Sequence, residues 1–70
     1  MSFTSYLRRV KGLVPLGQLD FIKDWLADRE KPRGVKTWGE VRAYLEGRHA
    51  DTAAVERARE LWRDYERFGK

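Results

Sequence analysis

The chain has 70 residues, no cysteine, and 15 Lys or Arg against 11 Asp or Glu, so its net charge is +4. A chain this short forms one domain at most, and without cysteine it has neither disulfides nor thiolate metal sites. Its mixed charge permits a nucleic-acid partner without indicating one, because polyanion-binding proteins usually cluster their basic residues.

The first predicted helix lies in the stretch SFTSYLRRVKG. Ser2 is its expected N-cap, because a serine hydroxyl can accept a bond from an unpaired backbone amide. Gly12 is the expected stop. Four apolar residues have the i, i+3, i+4, i+7 spacing of one helix face: Phe3, Tyr6, Leu7 and Val10.

An apolar stretch with Leu13, Val14 and Leu16 separates this helix from the next, where a loop is normally polar. These residues either cover one end of the bundle or stay exposed for a partner. The second helix follows in VPLGQLDFIKDWLADRE. Pro15 suits its first turn, and Gly17 weakens that turn enough for the helix to start after it.

The second helix has two adjacent apolar stripes, which predict that it lies at the centre of the fold. The stripes contain Leu19, Ile22 and Leu26, and Phe21 and Trp25. Pro32 and Gly34 then interrupt the pattern. Thr37 and Glu40 have the spacing of a capping box that starts a third helix, and Gly47 is its expected stop. The apolar face of that helix contains Trp38, Val41, Tyr44 and Leu45.

The fourth predicted helix is the longest, with Asp51 as its N-cap. Its opposite face is charged, with acid–base pairs three residues apart at Glu56–Arg59 and Glu60–Arg63. The apolar stripe runs almost to the end of the chain and contains Val55, Ala58, Leu61, Trp62, Tyr65 and Phe68.

No segment alternates as a strand bounded by hairpin signals. The chain is therefore predicted to be all-α, a compact four-helix bundle in which residues 1–70 form one domain. No apolar run approaches the roughly 20 residues of a membrane span, and the first residues lack a hydrophobic signal core. A cytoplasmic location is expected.

Four motifs occur in order along the chain: F-x-x-Y-L at residues 3–7, D-x-x-x-P at 28–32, W-x-E-V-x-x-Y-L-E at 38–46, and W-x-x-Y at 62–65. Their order and spacing resemble the YozE-type SAM-like family of small bacterial proteins. The resemblance covers nearly the whole chain and implies a SAM-like helical fold, but it implies no established activity. Lys31 stands where the family usually has an aromatic residue before the proline, which predicts a loop that packs less tightly.

Catalytic and metal chemistry have little support in the sequence. His49 is the one histidine, and it is expected to be a solvated or helix-terminal side chain. Asp20 and Asp24 are four residues apart, a spacing that can serve acid–base chemistry or a metal. Two acids on a charged helix are more often solvated. We therefore expect no enzyme, cofactor or metal.

Basic residues in the middle loop and on the last helix are candidates for nucleic-acid or anion contact. They are Arg29, Lys31, Arg33, Lys36, Arg59 and Arg63. The loop leads into a helix N-terminus, whose free amides favour anions. The Thr37–Glu40 capping box would occupy those amides, so a solvated turn is the first interpretation and phosphate contact the second.

Tryptophans on apolar faces are first interpreted as core residues. A domain this small cannot hide every aromatic ring, so Trp25 and Trp38 are also candidate anchors for a partner protein, together with Leu13 and Val14. The leading hypothesis is a non-enzymatic binding or adaptor module that docks a protein through an exposed apolar and basic patch. Nucleic-acid binding is the alternative, and self-association is a third candidate.

Overall fold

A computed structural model describes residues 1–69. Within this range there are four α-helices and no strand: α1 (Phe3–Val10), α2 (Leu16–Ala27), α3 (Trp38–Gly47) and α4 (Thr52–Asp64). A π-helical turn, Tyr65–Gly69, follows α4. The predicted all-α four-helix bundle is confirmed, and α4 is the longest helix, with 13 residues.

Three of the helices start at the predicted N-caps. The side-chain oxygens of Ser2, Thr37 and Asp51 accept bonds from backbone amides three residues later, at 3.1, 3.3 and 2.8 Å. These bonds satisfy donors that the helices leave unpaired. Local sequence therefore determines where α1, α3 and α4 begin.

Helix α2 begins at Leu16, with Pro15 as its N-cap, so it does not start after Gly17. Pro15 has an extended ψ of 157° and lies one position before the helical turn. Gly17 is inside the helix, and the Arg57 side chain of α4 packs against it. A Cβ at Gly17 would lie 3.0 Å from Nε of Arg57.

Helix α3 ends at Gly47 as predicted, but the residue with left-handed backbone is His49, with φ of 57°. The Ala50 amide donates to the Leu45 carbonyl at 3.0 Å, and the His49 amide donates to the Glu46 carbonyl at 3.1 Å. This pair of bonds is a Schellman motif. It turns the chain directly into α4.

The core is built from aromatic and aliphatic residues of all four helices. Phe3 lies at its centre, with ring centroids 5.4 Å from Trp25, 5.0 Å from Trp62 and 5.5 Å from Tyr65. The edge-on contacts suit aromatic quadrupoles. Val35, in the middle loop, is also buried, which the helical patterns did not predict.

Phe68 does not continue the buried stripe of α4, since 73% of it is exposed. The reason is the π-helical turn after Asp64, which has more residues per turn than an α-helix and rotates Phe68 away from the core. Gly69 lies against the Tyr6 ring instead.

The acid–base pairs predicted along α4 are not formed within residues 1–69. Glu60 accepts a bond from the Gln18 side chain at 2.9 Å, and Arg59 lies over the Trp38 ring. Ion pairs form elsewhere, at Arg42–Glu46 with 3.0 Å and at Arg48–Asp28 with 2.9 Å. Glu60 and Arg59 of α4 thus contact neighbouring helices instead of their predicted partners.

Candidate functional site

The Asp28 carboxylate joins the end of α2 to α3. It accepts bonds from the Tyr44 hydroxyl, from Nη1 of Arg48 at 2.9 Å, and from the Glu30 amide at 2.9 Å. Only 12% of this side chain is exposed. The acceptor positions of Asp28 are used inside the fold, which makes it a structural residue.

Lys31, a candidate phosphate contact, caps a helix instead. Its ammonium group donates to the Asp28 carbonyl at 2.9 Å and lies 3.5 Å from the Leu26 carbonyl. A cation at a helix C-terminus satisfies free carbonyls and interacts well with the helix dipole. We therefore remove Lys31 from the candidate contact residues.

The capping box at the start of α3 occupies one of its first amides, that of Glu40. The Thr37 hydroxyl accepts a bond from the Glu40 amide, and the Glu40 carboxylate accepts one from the Lys36 amide at 2.8 Å. In the usual capping box this carboxylate accepts from the N-cap amide, here that of Thr37. In this protein it bonds one residue earlier. An anion that bonded the Lys36 amide would have to displace the Glu40 carboxylate, which weakens the case for phosphate contact through the loop backbone.

The remaining candidate bases, Arg29, Arg33, Lys36, Arg59 and Arg63, are exposed. One contact connects the first residue of α3 with α4, because the Arg59 guanidinium carbon lies 5.7 Å from the centre of the half-buried Trp38 ring. Nε1 of Trp38 is buried and has no hydrogen-bond partner within the described range. We call Lys36, Trp38, Arg59 and Arg63 the Trp38–Arg59 surface.

Trp25 is unsuited to anchor a partner, since only 1% of it is exposed. Its Nε1 donates to Oγ1 of Thr4 at 3.0 Å, which joins α2 to α1. The expectation of Trp25 as a partner anchor is wrong, because its central position on α2 places it against Phe3. The core interpretation holds for Trp25 and for Trp62.

The connection between α1 and α2 exposes apolar side chains. Leu13 is 83% exposed and Leu16 is 80% exposed, whereas Val14 is half-buried and packs against the core. Of these three residues, only Val14 therefore helps to cover the end of the bundle, and the two leucines stay exposed. We call residues 13–16 the Leu13–Leu16 turn.

The chain around this turn is basic. Residues 1–19 contain Arg8, Arg9 and Lys11 and no Asp or Glu. All three basic side chains are exposed. On the other side of the turn, Glu56 and Glu60 of α4 line a shallow pocket with Pro15 and Gly17. The turn therefore combines exposed leucines with basic residues before it in the sequence and acidic residues of α4 beside its end.

A groove of about 680 Å³ lies between α2 and the first turns of α4, with the end of α3 beneath it. Its apolar lining comes from Phe21, Trp25, Tyr44, Leu45, Ala50 and Ala54. We call it the α2–α4 groove. Sequence reasoning missed it, because the spacing of residues along each helix does not show which helices leave a gap between them.

The α2–α4 groove is more acidic than the rest of the protein. It is lined by four aspartates and three arginines, a net charge of −1 in a chain of net charge +4. Asp20 and Asp24 form part of the α2 wall, and within residues 1–69 their carboxylates have no ion-pair partner. The sequence marked this pair of acids but not the groove beside it.

Residues 1–69 contain no group of three His, Asp or Glu side chains that could hold a metal ion. No helix among them is long and apolar enough to cross a bilayer. No protein-family model matches the chain, and neither a curated protein nor a solved structure matches it. The choice between the candidate surfaces therefore rests on the geometry and charge of their residues.

Proposed function

We propose that this protein is a non-enzymatic binding module that docks a protein partner through the Leu13–Leu16 turn. The exposure of Leu13 and Leu16 carries this proposal. A run of consecutive apolar residues at the surface promotes aggregation unless a partner covers it. Val14 packs against the core and anchors the turn to the bundle.

The basic surroundings of the turn indicate the chemistry of the partner. Arg8, Arg9 and Lys11 are exposed and precede the leucines in the sequence, without an acid in the first 19 residues. Charge complementarity speeds association and selects the partner. The partner surface is therefore an apolar pocket with an acidic rim.

A non-enzymatic role is supported by the use of the well-placed polar groups within the fold. Asp28 accepts three bonds, Lys31 caps α2, and the Trp25 indole donates to Thr4. None of these groups is left poised for chemistry. The proposal includes the expected cytoplasmic location, for which the lack of cysteine is the supporting observation.

The SAM-like fold belongs to the same proposal. Motif residues Phe3, Leu7, Val41 and Trp62 lie in the core. The bond from Tyr44 to Asp28 links the motif at 38–46 to the motif at 28–32. Both observations support a fold in which these motifs serve packing.

The proposal is tested by photo-crosslinking from the turn. A photoreactive phenylalanine analogue is placed at position 13, at position 16 or, as a matched exposed control, at position 68. We expect ultraviolet light to yield one defined protein adduct from positions 13 and 16 in a lysate of the source cells, and not from position 68. The same adducts from all three positions, or no adduct from the turn, would refute docking there.

A second candidate function, nucleic-acid binding, is favoured by the Trp38–Arg59 surface. The 5.7 Å contact joins Arg59 of α4 to Trp38, two residues after Lys36 of the basic loop, and in this proposal Lys36, Arg59 and Arg63 act together. Bases stack on exposed aromatic and Arg groups, and phosphates pair with neighbouring cations. The use of Lys31 as a helix cap and of the Lys36 and Glu40 amides in the capping box counts against this function.

Fluorescence anisotropy with labelled single-stranded and duplex oligonucleotides tests the second candidate. Binding should weaken steeply with salt, and Arg59→Ala with Arg63→Ala should lower the slope by about one per lost phosphate contact. Arg8→Ala with Arg9→Ala removes the same charge elsewhere and should change the slope less. Flat titrations at low salt would eliminate nucleic acid as a partner.

A further inference from the structure

The Leu13–Leu16 turn and the α2–α4 groove complement each other. The turn is apolar and follows three exposed bases in the sequence, whereas the groove has an apolar lining and a net charge of −1. We propose that the partner of the turn is a second copy of this chain, whose groove receives Leu13 and Leu16. This inference rests on the proposed function and names its partner.

The charges that would meet are unpaired in the single chain. Asp20 and Asp24 have no ion-pair partner within the described residues, and neither do Arg9 and Lys11. The groove also contains Arg57 of α4, whose guanidinium group lies against Gly17 at the start of α2. The bases that precede the turn are therefore attracted to Asp20 and Asp24 and repelled by Arg57, which favours a docked orientation that places them beside the two aspartates.

The turn and the acidic wall are neighbours on one helix. Leu16 begins α2, and Asp20 lies four residues later, so both are on the same face. A two-fold axis that crosses α2 would place each turn over the groove of the other copy. Both contacts then form at once, and the same patch serves both copies. Such an interface closes as a dimer and does not extend into a filament.

The area of the chain allows this interface. The accessible surface is 4941 Å², and a stable interface covers roughly 800 Å² per partner, which is about one sixth of that surface. In the two-fold arrangement each copy contributes its turn and its groove, so the turn–groove contact forms twice. The buried area and the paired charges of one contact are thereby doubled, which allows even a small protein to associate.

Sedimentation velocity of the full chain over a concentration series tests the proposal. The molecular mass should rise from monomer to dimer and stop there, and the dimer should weaken at high salt. Leu13→Ser with Leu16→Ser should remain monomeric. Phe68→Ser, which removes an equally exposed apolar group, should dimerise as the unchanged chain does. Circular dichroism confirms that each variant keeps its helical content.

A charge exchange provides the specific test of the proposed contact. Arg9→Glu with Lys11→Glu makes the segment before the Leu13–Leu16 turn acidic. Asp20→Lys with Asp24→Lys makes the α2 wall of the groove basic. Each variant alone should be monomeric. Their mixture should form a heterodimer, because both turn–groove contacts then pair opposite charges. Glu30→Lys, which reverses an exposed acid outside the groove, should leave dimerisation unchanged.

A chain that is monomeric at every concentration would overturn the self-association proposal. So would a dimer that survives Leu13→Ser with Leu16→Ser, a mixture of charge variants without heterodimer, or mass that increases beyond two chains. A monomeric chain that still crosslinks to a different protein from position 13 would overturn this inference and leave the proposed function standing. A crosslink from position 13 to a second copy of this chain would support both the proposed function and the self-association inference.

Discussion

The Tyr44 hydroxyl donates a hydrogen bond to the Asp28 carboxylate, and this bond ties α3 to the end of α2. Arg48 and the Glu30 amide donate to the same carboxylate at 2.9 Å. Arg48 also lies 5.7 Å from the centre of the Tyr44 ring. One largely buried acid thus joins two helices and the loop between them.

Replacement of Asp28 should therefore destabilise the bundle. Asp28→Ala leaves Tyr44 and Arg48 without their acceptor, and we expect the free energy of unfolding to fall by about 2–3 kcal/mol. Glu30→Ala removes an exposed acid outside the groove, two residues later, and should change it by less than about 0.5 kcal/mol. Urea denaturation measures both, and equal effects would contradict the structural role of Asp28.

Removal of the Trp62 ring should have a larger effect. Trp62 is 3% exposed and contacts the rings of Phe3 and Tyr65 at 5.0 and 5.1 Å. Trp62→Ala should cost about 3–5 kcal/mol, which approaches the whole stability of a small domain. We expect its helical circular dichroism to be largely lost, while Phe68→Ala keeps it. An unchanged melting curve for Trp62→Ala would contradict its place in the core.

The packing of Gly69 on Tyr6 predicts that a side chain at position 69 lowers the stability of the fold. A Cβ at Gly69 would lie within 3.0 Å of three Tyr6 ring carbons, and that ring is held against Tyr65. Gly69→Ala should lower stability by about 1–3 kcal/mol. Gly12→Ala has open space around its Cβ and should be neutral or slightly stabilising. Thermal melts compare the two, and equal melting temperatures would show that the π-helical turn does not contribute.

The left-handed backbone of His49 offers a route to greater stability. A residue with a Cβ pays a steric penalty at φ of 57°, which glycine avoids. His49→Gly should raise the free energy of unfolding by up to about 1 kcal/mol, whereas His49→Ala keeps the Cβ and should not. Chemical denaturation of the three chains is the measurement. A gain with alanine as well would attribute the effect to the imidazole rather than to the backbone.

Features set by residues close in sequence could be predicted, and features set by contacts between helices could not. Ser2, Thr37 and Asp51 cap helices through bonds that span three residues, so their roles are visible in the sequence. The exposure of Leu13 was one of two open interpretations, and only tertiary packing decided it. Lys31 is a candidate anion contact because of its charge alone. Charge does not show that its ammonium group folds back onto the end of α2.

Tyr6 should make the stability depend on pH in the alkaline range. Burial raises the pKa of its phenol above the ordinary value of 10.0, and the Asp64 carboxylate adds to the rise. The folded chain therefore holds this proton more tightly than the unfolded chain. The resulting stabilisation is complete below about pH 10 and is lost as the pH rises through the higher folded-state pKa.

The comparison of the unchanged chain with Tyr6→Phe isolates this effect, because the other titrating groups are common to both. We expect the difference between their melting temperatures to be constant below about pH 10 and to move in favour of Tyr6→Phe above it. Asp64→Asn removes the second cause of the rise, so its alkaline loss should be shallower than that of the unchanged chain. Parallel curves for Tyr6→Phe and the unchanged chain would mean that the phenol ionises without hindrance in the folded state.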